Sequence, residues 1–161
     1  MTQDRPAATR PGDSPRPAAP GGLLEAAIYA GDLDAEETFF SRALGLEVTA
    51  KERGRHVFFR CGGAMLLVFN PATTESGGTL PGSIQVPAHG ARGPGHVALR
   101  IRDREIEAWR KRLQAAGVAI ESEVRWPNGG YSIYFRDPAG NSVELATPRL
   151  WGLPEDGAQL A

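Results

Sequence analysis

The chain has 161 residues, 41% of them apolar and 23% charged, an ordinary make-up for one compact domain that excludes a chain too polar to bury a core. Its 18 basic and 19 acidic side chains are interspersed and leave a formal charge of −1, so a nucleic-acid or anionic-membrane binder is not expected and a small molecule is the expected partner. Cys61 stands alone, which excludes an intrachain disulfide and a Cys-based zinc cluster and fits a reducing, cytoplasmic setting.

Residues 1–20 carry five prolines and three arginines but no apolar run, so they suit neither a signal peptide nor a membrane span and are expected to form a disordered tail. A strand is predicted next, with Ala26, Ile28 and Ala30 on one face and Glu25 on the other. Asp34 and Glu37 are spaced as a capping pair for the helix that follows, whose apolar stripe is Phe39, Phe40, Ala43 and Leu44. Gly45 is placed to end it, and strands are expected over 46–50, 55–61 and 64–70. Residues 71–94 are dense in Gly and Pro, with one strand-like patch at 83–86, and read as a linker ahead of a lid, with His89 solvated.

The pattern then repeats about 71 residues later. Val97, Leu99 and Ile101 form the apolar face of a strand that leaves His96 on the other side, equivalent to Glu25. Asp103 is the expected N-cap, Ile106, Trp109, Leu113 and Ala116 fall at helical spacing, and Gly117 ends the helix. Strands are expected over 118–123, 131–136 and 142–146, and the stretch Asp137-Pro138-Ala139-Gly140-Asn141 reads as a turn that orients Glu144. The organisation is one domain over 21–150 with units of about 23–70 and 95–148, followed by a C-terminal tail at 151–161.

The duplicated strand, helix, strand, strand, strand order, the run Gly-His-Val-Ala-Leu-Arg-Ile at 95–101 and the closing Phe-Arg-Asp-Pro-Ala-Gly-Asn-Ser-Val-Glu-Leu at 135–145 resemble the vicinal oxygen chelate superfamily of glyoxalases, bleomycin-resistance proteins and extradiol dioxygenases. The resemblance covers roughly residues 23–148 and implies an α+β fold in which two βαβββ units make a cup-shaped, eight-stranded mixed sheet. It also implies metal ligands on the first and last strands of the units, which fall on Glu25, His96 and Glu144, whereas the last strand of the first unit offers only Leu67. Two carboxylates and an imidazole suit one divalent ion, Zn, Ni, Mn or Fe, with positions left open for substrate. A carboxylate within an apolar run costs several kcal/mol to bury unless a partner or a metal meets it, which favours the ligand assignment for Glu25 and Glu144.

By the same resemblance, Glu25 or Glu144 is the catalytic base of a metal-dependent, glyoxalase-like lyase or isomerase acting on a small oxygen-bearing substrate. Arg60, Arg100, Trp126 and Tyr134 are the candidate substrate-binding residues, and His56 is a candidate hydrogen-bond donor behind the metal ligands. A metal-free protein that sequesters its ligand in the cup is the rival reading. A dioxygenase is the other, although Arg125, Trp126 and Pro127 stand where its acid/base histidine is expected. Relatives commonly pair as homodimers, and the residues leave open whether one chain or two close each site.

Overall fold

The structure is a computed structural model that describes residues 17–80 and 83–155. Most of the expected N-terminal tail, residues 1–16, and the end of the C-terminal one, 156–161, lie outside the described residues.

Strand β1 (Glu25–Tyr29) buries Ile28 and leaves Glu25 exposed on the opposite face. Helix α1 (Leu33–Phe39) is capped by Asp32, whose side chain accepts from the Ala35 amide at 3.0 Å, not by the expected Asp34. Asp34 lies inside the first turn, where its carboxylate cannot reach back to a free amide, and it pairs with Lys51 together with Glu37. The helix widens into a π-helical turn over Phe40–Leu44 that buries Phe40, Ala43 and Leu44, and Gly45 ends it in the left-handed region at φ 75°. Strands β2 (Glu47–Glu52), β3 (His56–Cys61) and β4 (Ala64–Phe69) complete a sheet of order β1-β4-β3-β2, with β1 parallel to β4 and the other pairs antiparallel.

The segment expected to be a plain linker has structure of its own. Asn70 caps a helical turn, α2 (Pro71–Thr74), and β5 (Gly78–Leu80) pairs antiparallel with β6 (Ile84–Val86). His89 is not solvated as expected: its Nδ1 lies 2.9 Å from the Tyr29 hydroxyl and its ring packs edge-on against Phe69 at 4.6 Å. An aromatic partner on each side removes more ring surface from water than a free loop would.

The second unit repeats the first with β7 (His96–Arg100), α3 (Ile106–Ala115), β8 (Ile120–Arg125), β9 (Tyr131–Arg136) and β10 (Ser142–Ala146), in the order β7-β10-β9-β8. Asp103 is not its helix cap. A 3₁₀ turn over Asp103–Glu105 precedes α3, and the Glu105 carboxylate accepts from the Arg102 amide at 3.1 Å. The expected eight strands are thus two four-stranded mixed sheets, and β1 of one lies against β7 of the other.

One core joins the units, since Ile28, Phe40 and Phe59 from the first pack with Val97, Ile133 and Phe135 from the second. Polar contacts cross the same boundary. Arg112 of α3 donates to the Ala43 carbonyl at 2.7 Å, and buried Glu36 of α1 accepts from the Ala139 amide at 2.9 Å. Asn141 accepts from the Gly95 amide at 2.7 Å and donates to the Tyr29 carbonyl at 3.2 Å and to Asp137 at 2.7 Å. With the helices on the core side, the residues alternating with the core in every strand point to the other face.

Candidate functional site

Strand β10 runs parallel beside β7, with Ser142 opposite His96 and Glu144 opposite Ala98. Because Val97, Leu99, Val143 and Leu145 go into the core, the period of two sends His96 and Glu144 to the face away from it. Glu144 is only 4% exposed, its Oε2 lies 3.3 Å from His96 Nε2, and its Oε1 is buried with no hydrogen-bond partner. His96 Nδ1 sits 3.1 Å from the Ser142 carbonyl, which can only accept, so Nδ1 carries a ring proton and Nε2 is the nitrogen turned towards Glu144. Two lone-pair atoms at that spacing repel unless a proton or a cation lies between them. An orphaned carboxylate oxygen beside an oriented imidazole nitrogen is therefore a donor set that fits a divalent metal.

A cavity of about 510 Å³ opens onto this pair, walled by Trp126, Pro127, Asn128, Tyr134, Leu150 and Trp151. Trp126 is fixed by its indole N–H donating to the Ser132 hydroxyl at 2.9 Å, and the Tyr134 ring lies nearly parallel to His96 at 6.3 Å. Burial, followed by the neighbouring Glu144 carboxylate, pushes the Tyr134 phenol above its usual pKa, so it keeps its proton as a donor. The last wall is a 3₁₀ turn, Pro148–Trp151, held by Asn128, whose amide donates to the Arg149 carbonyl at 3.2 Å and the Leu150 carbonyl at 2.8 Å.

Of the residues singled out in the sequence, His96, Glu144, Trp126 and Tyr134 come together here. Glu25 does not join them, and among the described residues no three His, Cys, Asp or Glu side chains form a metal-holding group. Arg100 is turned to the C-terminal segment, donating to the Pro154 carbonyl at 2.9 Å, and Arg60 is exposed on β3 in the other sheet. His56, also on β3, stacks on Phe58 at 4.0 Å, and burial pushes its pKa below the ordinary value. Its nearest acid is Glu52 at 3.8 Å, so it supports neither His96 nor Glu144.

Pro127, Asn128, Leu150 and Trp151 were not foreseen as site residues. The available signals were the Asn128-Gly129-Gly130 turn and two large apolar side chains, Leu150 at the end of the expected domain and Trp151 at the start of the expected tail. A wider open groove of about 1000 Å³ beside α1 and the end of α3 holds fewer free groups: Asp32 caps a helix, Asp34 pairs with Lys51 and Arg112 donates to Ala43.

Comparison with known proteins follows the same lines. Residues 22–145 match the family described as Glyoxalase/Bleomycin resistance protein/Dioxygenase superfamily. The crystal structure of a lactoylglutathione lyase from Agrobacterium tumefaciens is similar at 42% identity and a TM-score of 0.78, over 84% of this chain and 100% of that one. A glyoxalase/bleomycin resistance protein/dioxygenase from Nocardioides is 23% identical with a TM-score of 0.62, over 81% of this chain and 85% of that one. A putative glyoxalase family protein from Bacillus anthracis is 16% identical with a TM-score of 0.61, over 82% and 98%. The last two bear on the fold alone.

Proposed function

The chain belongs to the glyoxalase, bleomycin resistance protein and dioxygenase superfamily, and on that footing we propose that it is a metal-dependent, glyoxalase-like lyase or isomerase acting on a small oxygen-bearing substrate. The observation that carries the proposal is the His96–Glu144 pair, in which a buried carboxylate oxygen without a partner and an oriented imidazole nitrogen open onto one cavity. The similarity to a lactoylglutathione lyase favours this chemistry over the others the fold supports.

When bound, a divalent ion would polarise the substrate's paired oxygens and acidify the adjacent C–H bond. Glu144, the one carboxylate among the described residues that line the cavity, then accepts that proton, with His96 Nε2 beside its Oε2 at 3.3 Å. Tyr134 keeps its proton and donates to a substrate oxygen as charge gathers there. Trp126, Pro127 and Leu150 give the cavity apolar walls that limit the water around the reacting end.

Among the described residues only two ligating side chains meet within one chain, so in this proposal Glu25 of a second copy supplies the third and the working unit is a homodimer. Protein prepared without added metal is expected to carry one Zn, Ni, Mn or Fe per site by elemental analysis, and His96→Ala and Glu144→Gln to lose it. Mixed dimers of Glu25→Gln with Glu144→Gln are expected to regain one metal per dimer, since one of their two sites contains all three native ligands. Metal-free wild-type protein that still binds its ligand in chelator would support the rival reading of a sequestering protein, which the incomplete single-chain ligand set also suits.

A further inference from the structure

We propose that the cavity selects ligands whose body, away from the reacting end, is a flat aromatic ring bearing no negative charge, and that it rejects bodies with carboxylate or phosphate groups. The inference rests on the reading of His96 and Glu144 as the reacting end of the same site. Three rings, Trp126, Tyr134 and Trp151, line the space with Pro127 and Leu150, and among the described residues no Lys or Arg does so. The one other polar side chain, Asn128, spends its amide on the carbonyls of Arg149 and Leu150. Flat apolar walls at this volume suit a ring in stacking contact.

The guanidinium groups nearest in sequence to this wall have other partners. Arg100 donates to the Pro154 carbonyl, Arg149 faces Asp103 at 3.7 Å, Arg136 pairs with Glu121, and Arg125 sits over the Tyr131 ring. The only carboxylate in the lining is Glu144, with its free Oε1. An anionic group brought into such a space loses its hydration and meets the Glu144 carboxylate with only the neutral Tyr134 hydroxyl to bind it, whereas a cation is drawn to that carboxylate and a neutral group has no charge to desolvate.

Trp151 points the same way. It is 76% exposed, yet its backbone is anchored, because the Leu150 amide bonds the Thr147 carbonyl at 3.1 Å and Gly130 packs so close that a Cβ there would lie 2.7 Å from Leu150 N. A large ring on a cavity rim, carried by an anchored backbone and with its surface uncovered, is contact area for a flat ligand.

The test is calorimetric titration with three naphthalenes that differ only in the charge of one substituent: 2-naphthylmethylammonium, 2-naphthylmethanol and 2-naphthoate. Each is titrated in EDTA, which leaves no metal for a carboxylate to ligate. The cation and the alcohol are expected to bind at least tenfold tighter than the carboxylate. Trp151→Ala is expected to weaken the first two by tenfold or more without a change in circular dichroism. Naphthoate binding as tightly as the others, no binding of any of the three, or a Trp151→Ala protein with unchanged affinities would overturn the proposal. So would Trp151→Ala turning a dimer into a monomer in sedimentation, which would assign that ring to a second copy. A protein that holds no metal but keeps the charge order sinks the lyase reading and leaves this inference standing, and an intact metal site with the order reversed does the opposite.

Discussion

A side chain's direction was easier to read from the sequence than its partner. His96 and Glu144 alternate with Val97 and Val143, so once each strand was recognised the period of two settled the face they occupy, and the parallel register of β7 and β10 placed them together. The same logic put Glu25, Arg60 and Arg100 on the face away from the core, yet none lines the cavity, because the alternation says nothing about which sheet lies opposite or which carbonyl a guanidinium has already found. Glu36 passed unnoticed as one acid of a helical first turn, although it is fully buried with Oε2 unpartnered and Asp137 beside it. Burial first, then the Asp137 charge, raise its pKa from 4.5 to about 8. A carboxyl raised in this way favours the folded state fully below the unfolded value and loses that contribution as pH climbs through the folded one. Wild-type stability to urea is therefore expected to fall between about pH 5 and pH 8, by an amount on the order of a few kcal/mol, while Glu36→Gln holds level across that window. An equal pH slope in both proteins would remove Glu36 as the cause.

Among the elements, both four-stranded units were legible because strands such as β3 and β7 alternate and the helix of each unit stops at a glycine in the left-handed region, Gly45 at φ 75° and Gly117 at φ 71°. The misplaced caps at Asp34 and Asp103 are errors of a residue or two, where several acids compete for the same turn and only geometry chooses. Residues 151–155, expected as part of a tail, are docked for a reason that no local pattern shows. Besides the local hydrogen bonds of the Pro148–Trp151 turn, the segment is held by Asn128 of the β8–β9 turn and Arg100 of β7, far away in sequence, and its own Glu155 carboxylate accepts from the Asp103 amide at 2.6 Å. Gly130 is where that docking is tightest, since an added Cβ would sit 2.7 Å from both N and Cα of Leu150, backbone atoms that cannot swing aside. Gly130→Ala is expected to cost roughly 1–3 kcal/mol of stability, as overpacking does, and to weaken binding of the naphthyl cation as the Trp151 wall shifts. Gly63→Ser, in open space on the first unit, should leave that binding unchanged in the same titration. A Gly130→Ala protein with native affinity and stability would show that the C-terminal turn is not fixed to the wall.

For the whole molecule, the repeat suggests two equal halves, but the contacts describe one cooperative body. The core runs without a break from Phe40 and Phe59 to Phe135, the Phe39 and Phe135 rings lie 6.2 Å apart across the boundary, and Arg112 closes the end of the first helix from the second unit. Asn141 is the polar centre of that boundary. It is 1% exposed and ties the Gly95 amide, the Tyr29 carbonyl and Asp137 to one side chain. Truncating it strands buried groups from both units, each worth about 1–3 kcal/mol, so Asn141→Ala is expected to lose roughly 2–4 kcal/mol overall. All three tryptophans, Trp109, Trp126 and Trp151, belong to the second half of the chain, whereas far-UV circular dichroism reports strands and helices of both. If the units unfold together, the two signals must give the same urea midpoint in the wild type and move by the same amount in Asn141→Ala, with the slope unchanged. A fluorescence midpoint that departs from the dichroism midpoint would mean that the halves unfold separately and that Asn141 joins two bodies instead of stabilising one.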